Sequence, residues 1–150
     1  MVLTIPAVFC LFHHIRNPTK PIGECPVTVL IADDFSPIRD SLRRMLSAIQ
    51  GIDLIAEASD GDQTQEMIKA LKPNALILDI RMPGKTGLDI LRDSSFDLEH
   101  TTVIILTNYA TPALRQRSLA LGADHVLDKT MEFAQVPEII TKLAEAKLEC

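Results

Sequence analysis

Five polar side chains stand directly after runs of apolar residues: Asp33 and Asp34 after VTVLIA, Asp79 after ALIL, Thr107 after TVIIL, and Lys129 after DHVLD. If those runs are neighbouring strands, three carboxylates, a hydroxyl and an ammonium collect on one rim. Carboxylates that close raise one another's pKa unless a positive charge lies among them. A hard divalent cation meets that need. Magnesium fits best, because it takes carboxylate and carbonyl oxygens, keeps some of its waters and binds phosphate oxygens. Asp79 could then act as a nucleophile toward a phosphoryl group, as carboxylates do in aspartyl-phosphate chemistry. Lys129 would neutralise the phosphoryl oxygens as a point charge, and Thr107 would orient them by a hydrogen bond. Plainer readings exist for each residue. Asp33 and Asp34 could cap a helix, Asp79 could be an ordinary acid at a strand end, Thr107 a turn former and Lys129 a surface lysine. None of these predicts that all five fall on the same edge.

The elements needed to bring them together can be read from the pattern. The stretch from Asn74 to Gly87, NALILDIRMPGKTG, is central: Ala75 to Leu78 reads as a buried strand, and Pro83-Gly84 turns the chain after Asp79. Upstream, Val27 to Ala32 predicts a strand. A helix follows, started by Ser36-Pro37, with Ile38, Leu42, Met45, Leu46 and Ile49 on its apolar face. Ile52 to Ala58 predicts the second strand, and Ser59-Asp60-Gly61 opens a helix carrying Met67, Ile68 and Leu71. After Gly87 a short helix places Leu88 and Leu91 inward, and Thr102 to Leu106 predicts the fourth strand. Thr111-Pro112 starts a helix with Leu114, Ser118 and Leu121 on one face, ended by Gly122. Asp124 to Asp128 predicts the last strand, and residues 134–148 the last helix, with Val136, Ile140, Leu143 and Ala144 facing the core. Alternating strands and helices of this length imply an α/β fold, a doubly wound parallel sheet with helices on both faces. In such a sheet ligands bind outside the carboxyl ends of the strands.

At 150 residues the chain has the size of one domain, and 47% hydrophobic with 23% charged residues is ordinary for a globular body. The net charge of -5 argues against nucleic-acid binding by this chain, since phosphate contacts need clustered Lys and Arg. Cys10, Cys25 and Cys150 are few and widely spaced, so no disulfide framework or zinc site follows, and a reducing, cytoplasmic setting is expected. His13, His14, His100 and His125 lack partners at ligand spacing. Residues 1–25 differ from the rest. An apolar run interrupted by Pro6 precedes a Pro-rich stretch, too short for a membrane span and without a basic region before it. We expect a poorly ordered N-terminal arm there and the domain proper over residues 26–150.

From Val27 to about Leu148 the chain resembles a receiver domain of a two-component response regulator. The resemblance rests on DD at 33–34, the D-x-x-M-P-x-x-x-G run from Asp79 to Gly87, Thr107 after an apolar strand, and Lys129 after G-A-D-x-x-x-x. It implies a flavodoxin-like (βα)5 fold with strand order 2-1-3-4-5. It also implies that Asp79 accepts a phosphoryl group from a phosphohistidine on a sensor histidine kinase or histidine phosphotransfer protein. Asp34 and Asp79 would bind Mg2+ directly, Asp33 through water, and the backbone carbonyl of Arg81 would be a further ligand. Thr107 and Lys129 would contact the phosphoryl group and couple it to the face made by the fourth helix, fifth strand and last helix. The domain would catalyse only its own phosphorylation and dephosphorylation, and output would pass through contacts with a downstream protein.

Two positions depart from the family pattern. Val126 stands where the family usually has an aromatic residue, which predicts an altered or damped switch. Thr130 follows Lys129 where proline in a cis peptide is common; a non-proline cis bond costs about 2.5 to 4 kcal/mol, so a trans bond is expected. Arg81, a bulky cation beside the site, is expected to affect access of water or partner and so the lifetime of the aspartyl phosphate. Two other readings compete: a magnesium-dependent phosphohydrolase acting on small molecules, and a degenerate receiver that is only a binding module. Against the first, no second acid or base is placed like a D-x-D motif and no lid insertion is obvious; against the second, every expected acidic, hydroxyl and lysine position is filled. No membrane association is expected; the chain reads as a stand-alone receiver or as the receiver portion of a larger regulator, with no room for a DNA-binding output domain within these residues, and the last helix offers plausible surfaces for a homodimer.

Overall fold

Short runs rich in Val, Ile and Leu, without helical spacing, are the signature of strands buried on both faces. In a computed structural model, which describes residues 25–93 and 95–148, they form one parallel sheet. The strands are β1 (Val27–Ala32), β2 (Ile52–Ala58), β3 (Ala75–Leu78), β4 (Thr102–Thr107) and β5 (His125–Asp128), in the spatial order β2-β1-β3-β4-β5. The helices between and after them are α1 (Ser36–Ser47), α2 (Gly61–Leu71), α3 (Gly87–Arg92), α4 (Pro112–Ala120) and α5 (Gln135–Leu148). This is the flavodoxin-like order expected from the resemblance. The N-terminal arm expected over residues 1–25 lies outside the described residues except for Cys25.

Two apolar layers hold the sheet. On one face Leu30, Leu76, Leu78 and Ile105 meet Met67 and Ile68 of α2 and Leu88 and Ile90 of α3. On the other, Val29, Ile31, Ile77 and Ile104 meet Leu42 and Leu46 of α1 and Val136, Ile140 and Ala144 of α5. Alternate residues along each strand feed the two layers, as the period-two pleat requires. Helix α4 adds little: Leu114 is half-buried, and the fully buried residue of the helix is Ser118.

Register carries this packing to the site. Ala32 pairs with Leu78 and Leu78 with Ile105, so β1 and β3 end together, while β4 and β5 run two residues further to the Thr107–Asp128 pair. The Asp79 N–H donates to the Ala32 carbonyl at 2.8 Å, and the Lys129 N–H to the Thr107 carbonyl at 2.9 Å. Sheet hydrogen bonding thus continues one residue past each strand. Between β1 and β3 the strand order reverses, which opens the crevice that this topology offers to ligands.

Local starts and stops follow their chemistry. Asp60 caps α2 by accepting the Gln63 N–H, Thr111 caps α4 by accepting the Leu114 N–H, and Thr86 with Asp89 forms a capping box on α3. Helix α1 begins behind Phe35 with no side-chain cap. Asp33 and Asp34 are therefore not its caps, and that plain reading of them falls away. The expected elements shift slightly. Strand β4 extends through Thr107, β5 begins at His125 and α5 at Gln135. In α3 it is Ile90 that is fully buried, while Leu91 is only half-buried. Among the described residues no peptide bond is cis, so Lys129–Thr130 is trans as expected. Cys25 is disulfide-bonded, which removes the cysteine argument for a reducing compartment. No helix among the described residues is long and apolar enough to cross a membrane.

Candidate functional site

Because β1 and β3 are hydrogen-bonded neighbours that end together, Asp33 and Asp79 meet at the crevice. Both are buried, with 2% and 6% of their surface exposed, so Asp79 sits deeper than a strand-end acid reaching for solvent. Asp34 is exposed beside them. One carboxylate oxygen from each of the three lies within 4.8 Å of the others. Thr107, 1% exposed, and Lys129 enter from the ends of β4 and β5. Asp34, Asp79, Arg81, Thr107 and Lys129 line one open cleft of about 390 Å³, with Phe35 and Tyr109 at its sides. Asp33, Asp34, Asp79, Thr107 and Lys129 come together here, and Arg81 lines the same cleft.

The charge arrangement differs from the sequence reading in one respect. The positive charge among the carboxylates comes from the chain itself. The Lys129 ammonium lies 2.5 Å from Asp33 Oδ2 and 3.3 Å from Asp79 Oδ2, with its side chain 7% exposed. A buried carboxylate pair without such a counter-charge would be costly. Burial pushes the Asp79 carboxyl above the usual carboxylate range; Lys129 pulls it down and Asp33 pushes it further up.

Asp33 is fixed on every side. Its N–H donates to the Ala58 carbonyl at 3.1 Å and its Oδ1 accepts the Phe35 N–H at 2.9 Å. Its carbonyl accepts from Arg39 Nη1 at 2.7 Å, and Arg39 is itself paired with Glu57 at 3.3 Å. Asp34 makes no such bonds, so its carboxylate is the most available cation ligand of the three. The donor set of hard oxygens fits a magnesium ion. Asp34 and Asp79 could hold it directly, while Asp33 has both oxygens engaged, by the Phe35 N–H and the Lys129 ammonium.

Over the cleft the Arg81 guanidinium carbon stands 4.0 Å from the centroid of the Tyr109 ring, a cation–π contact between two exposed side chains. The Tyr109 N–H donates to Thr107 Oγ1 at 3.3 Å, tying this lid-like pair to the strand end below. Val126, at the position where an aromatic is usual, is buried in the core beneath α4.

Residues 29–141 match the family model of the response regulator receiver domain. The chain belongs to that family. Receiver domains are parts of two-component systems, and relatives of this chain include both enzymes and transcriptional regulators. It is 34% identical over 116 residues to protein-glutamate methylesterase/protein-glutamine glutaminase 2 of Anaeromyxobacter dehalogenans, covering 77% of this chain and 34% of that protein. It is 34% identical over 110 residues to the nitrate/nitrite response regulator protein NarL of Escherichia coli K12, covering 71% of this chain and 50% of that one. The receiver thus spans a third to a half of the length of these two relatives. Among solved structures, the receiver domain of the putative response regulator NarL from Mycobacterium tuberculosis aligns with TM-score 0.68 at 28% identity, covering 80% of this chain and 97% of that one. The receiver domain of a DNA-binding response regulator from Colwellia psychrerythraea 34H aligns with TM-score 0.72 at 26% identity, covering 79% and 98%.

Three residues that matter to this receiver were not singled out as site residues from its sequence. Arg39 holds the Asp33 carbonyl, and Arg115 and Glu132 join the loops that carry Thr107 and Lys129. The helical spacing of Arg39 was visible, but its partner on β2 was not.

Proposed function

We propose that Asp79 is the phosphoacceptor of a two-component signalling pathway, served by Mg2+ and by Thr107 and Lys129. The observation that carries this is the convergence of three carboxylates and Lys129, within bonding distance of two of them, in a cleft shared with Thr107. The donor is a phosphohistidine on a sensor histidine kinase or histidine phosphotransfer protein. Asp79 attacks phosphorus, the P–N bond breaks as the P–O bond forms, and the imidazole leaves with a proton from solvent. Return to the free carboxylate is hydrolysis, in which water attacks phosphorus and inorganic phosphate departs.

Asp34, Asp79 and the Arg81 carbonyl would hold the cation, with Asp33 acting through water. The ion supplies positive charge that screens the acidic residues from the incoming phosphoryl oxygens. Burial makes Asp79 more basic and so a better nucleophile. Lys129, released from Asp33, is close enough to follow the new charge on Asp79, and Thr107 contributes its hydroxyl. The domain, residues 26–150, is no enzyme toward other molecules. It acts in the cytoplasm, does not bind nucleic acid itself, and passes its state to a downstream protein, with a homodimer as one means of doing so. Arg81 and Tyr109 restrict water at the mouth of the cleft and lengthen the life of the aspartyl phosphate.

The test is intact mass after incubation with Mg2+ and acetyl phosphate. A single phosphoryl adduct that requires Mg2+ and is lost in Asp79→Asn supports the proposal. No adduct on folded protein that binds Mg2+ would leave a binding module instead. Turnover of a panel of phosphomonoesters would point to the phosphohydrolase.

A further inference from the structure

The two groups assigned to the phosphoryl oxygens sit on different strands, and each strand ends in a loop. Thr107 opens the segment that leads to α4, and Lys129 opens the one that leads to α5. For both to meet one small group, these loops must be held in register beyond the sheet. The backbone supplies one bond for this, from the Lys129 N–H to the Thr107 carbonyl.

A single guanidinium supplies the rest. Arg115 Nε donates to the Ala110 carbonyl at 3.1 Å, three residues after Thr107. Its Nη1 donates to the Val126 carbonyl, three residues before Lys129. Its Nη2 pairs with Glu132 Oε2 at 2.5 Å, three residues after Lys129. Glu132 Oε2 also accepts the Asp128 N–H at 2.8 Å, and the Glu132 N–H donates to the Asp128 carbonyl at 2.9 Å. The three arms of one planar fork thus reach the β4–α4 loop, the backbone of β5 and the β5–α5 loop. A lysine could not replace it, having one nitrogen in place of three in fixed directions.

The apolar packing around Arg115 does not do this work. Helix α4 buries one residue fully, Ser118, whose hydroxyl has no partner among the described residues. Val126, on the strand the fork grips, has no polar side-chain group to offer Thr107.

We propose that Arg115 is a positioning residue that sets the Thr107 and Lys129 ends of β4 and β5 relative to each other for phosphoryl transfer to Asp79. The inference rests on the phosphoacceptor reading above and adds to it the element that aligns the two strand ends. A misplacement of about 1 Å at such a site can cost on the order of a hundredfold in rate.

The experiment compares wild type, Arg115→Met, Arg115→Lys and Glu132→Ala, using acetyl phosphate with Mg2+ as the probe. Three quantities are read: the rate of adduct formation, its rate of loss, and hydrogen exchange at the Lys129 amide without phosphodonor. Arg115→Met is expected to slow adduct formation about tenfold or more and to speed Lys129 amide exchange by a similar factor, with the amides of β1 and β3 unchanged. Arg115→Lys is expected not to restore either quantity. Glu132→Ala, which removes one arm, should fall between wild type and Arg115→Met, and it carries the test if Arg115→Met does not fold. Wild-type rates in folded Arg115→Met, or full recovery in Arg115→Lys, would overturn the inference. So would a loss of thermal stability with unchanged rates and exchange. Failure of the wild type to form an adduct is seen before any variant and overturns the phosphoacceptor reading itself.

Discussion

Helices α4 and α5 flank β5 on opposite faces of the sheet, yet they are held by different forces. Helix α5 sinks Val136, Ile140 and Ala144 completely into an apolar layer. Helix α4 fully buries only Ser118, leaves Leu119 half-exposed to solvent, packs a partly buried Leu114 on the core and is tied to its surroundings by the directed bonds of Arg115. Apolar burial is strong but non-directional, and it tolerates no partial release. A fork of hydrogen bonds is weaker and tied to particular atoms, so it can be remade when charge at the rim changes. The difference teaches which side of β5 is scaffold and which side is free to respond.

The largest expected effect is on the scaffold side. Ile140→Ala should destabilise the domain by about 2–5 kcal/mol in chemical denaturation, because it empties a fully buried site. Leu114→Ala on α4 should cost less, about 1–2 kcal/mol, since the side chain is only partly buried against the core. Equal losses from the two changes would break the comparison.

A smaller effect distinguishes the polar anchor by pH. The Arg115 guanidinium, and then the Asp128 N–H, hold the Glu132 carboxyl below its ordinary value of 4.5. Its stabilising contribution is therefore present above that value and is lost as pH falls through the lowered folded one. The stability difference between wild type and Glu132→Gln should shrink across this acid window, from no more than about 1 kcal/mol, as expected for a partly exposed pair. Asp79 moves oppositely: burial raises its folded pKa, so acid favours the folded state through that group, and the difference curve cancels it. A difference that stays constant down to the lowest pH would remove Glu132 from the anchor.

The smallest effect is at Ser118. Its buried hydroxyl lacks a partner, so Ser118→Ala should leave stability within about 0.5 kcal/mol of wild type or raise it slightly. A loss above about 1 kcal/mol would mean that α4 is packed nearly as tightly as α5, and would sharpen the comparison toward equality.

Most of the sheet was legible in the sequence, because strands buried on both faces write continuous apolar runs ended by polar residues. That same rule places Asp33, Asp34, Asp79, Thr107 and Lys129 on one edge. What could not be read was the pairing across elements. Lys129 stands between Asp33 and Asp79 because β5 runs two residues past the common end of β1 and β3, a fact of register that no local pattern encodes. Arg115 meets Val126 and Glu132 through the placement of α4, a helix with scarcely any apolar face to announce its orientation. Ile90 was missed for another reason: α3 has only six residues, too few turns to establish a period.

The loop that follows Asp79 is pinned between two glycines. A Cβ on Gly61 would come within 2.2 Å of the Lys85 carbonyl oxygen, and one on Gly87 within 2.4 Å of the Asp79 carbonyl oxygen. Both obstacles are backbone, which no change of neighbouring side chain can remove. In a lineage that diversifies its partners, the side chains of this loop can drift while its path cannot, so new specificities can arise around a reactive centre whose frame is inherited unchanged.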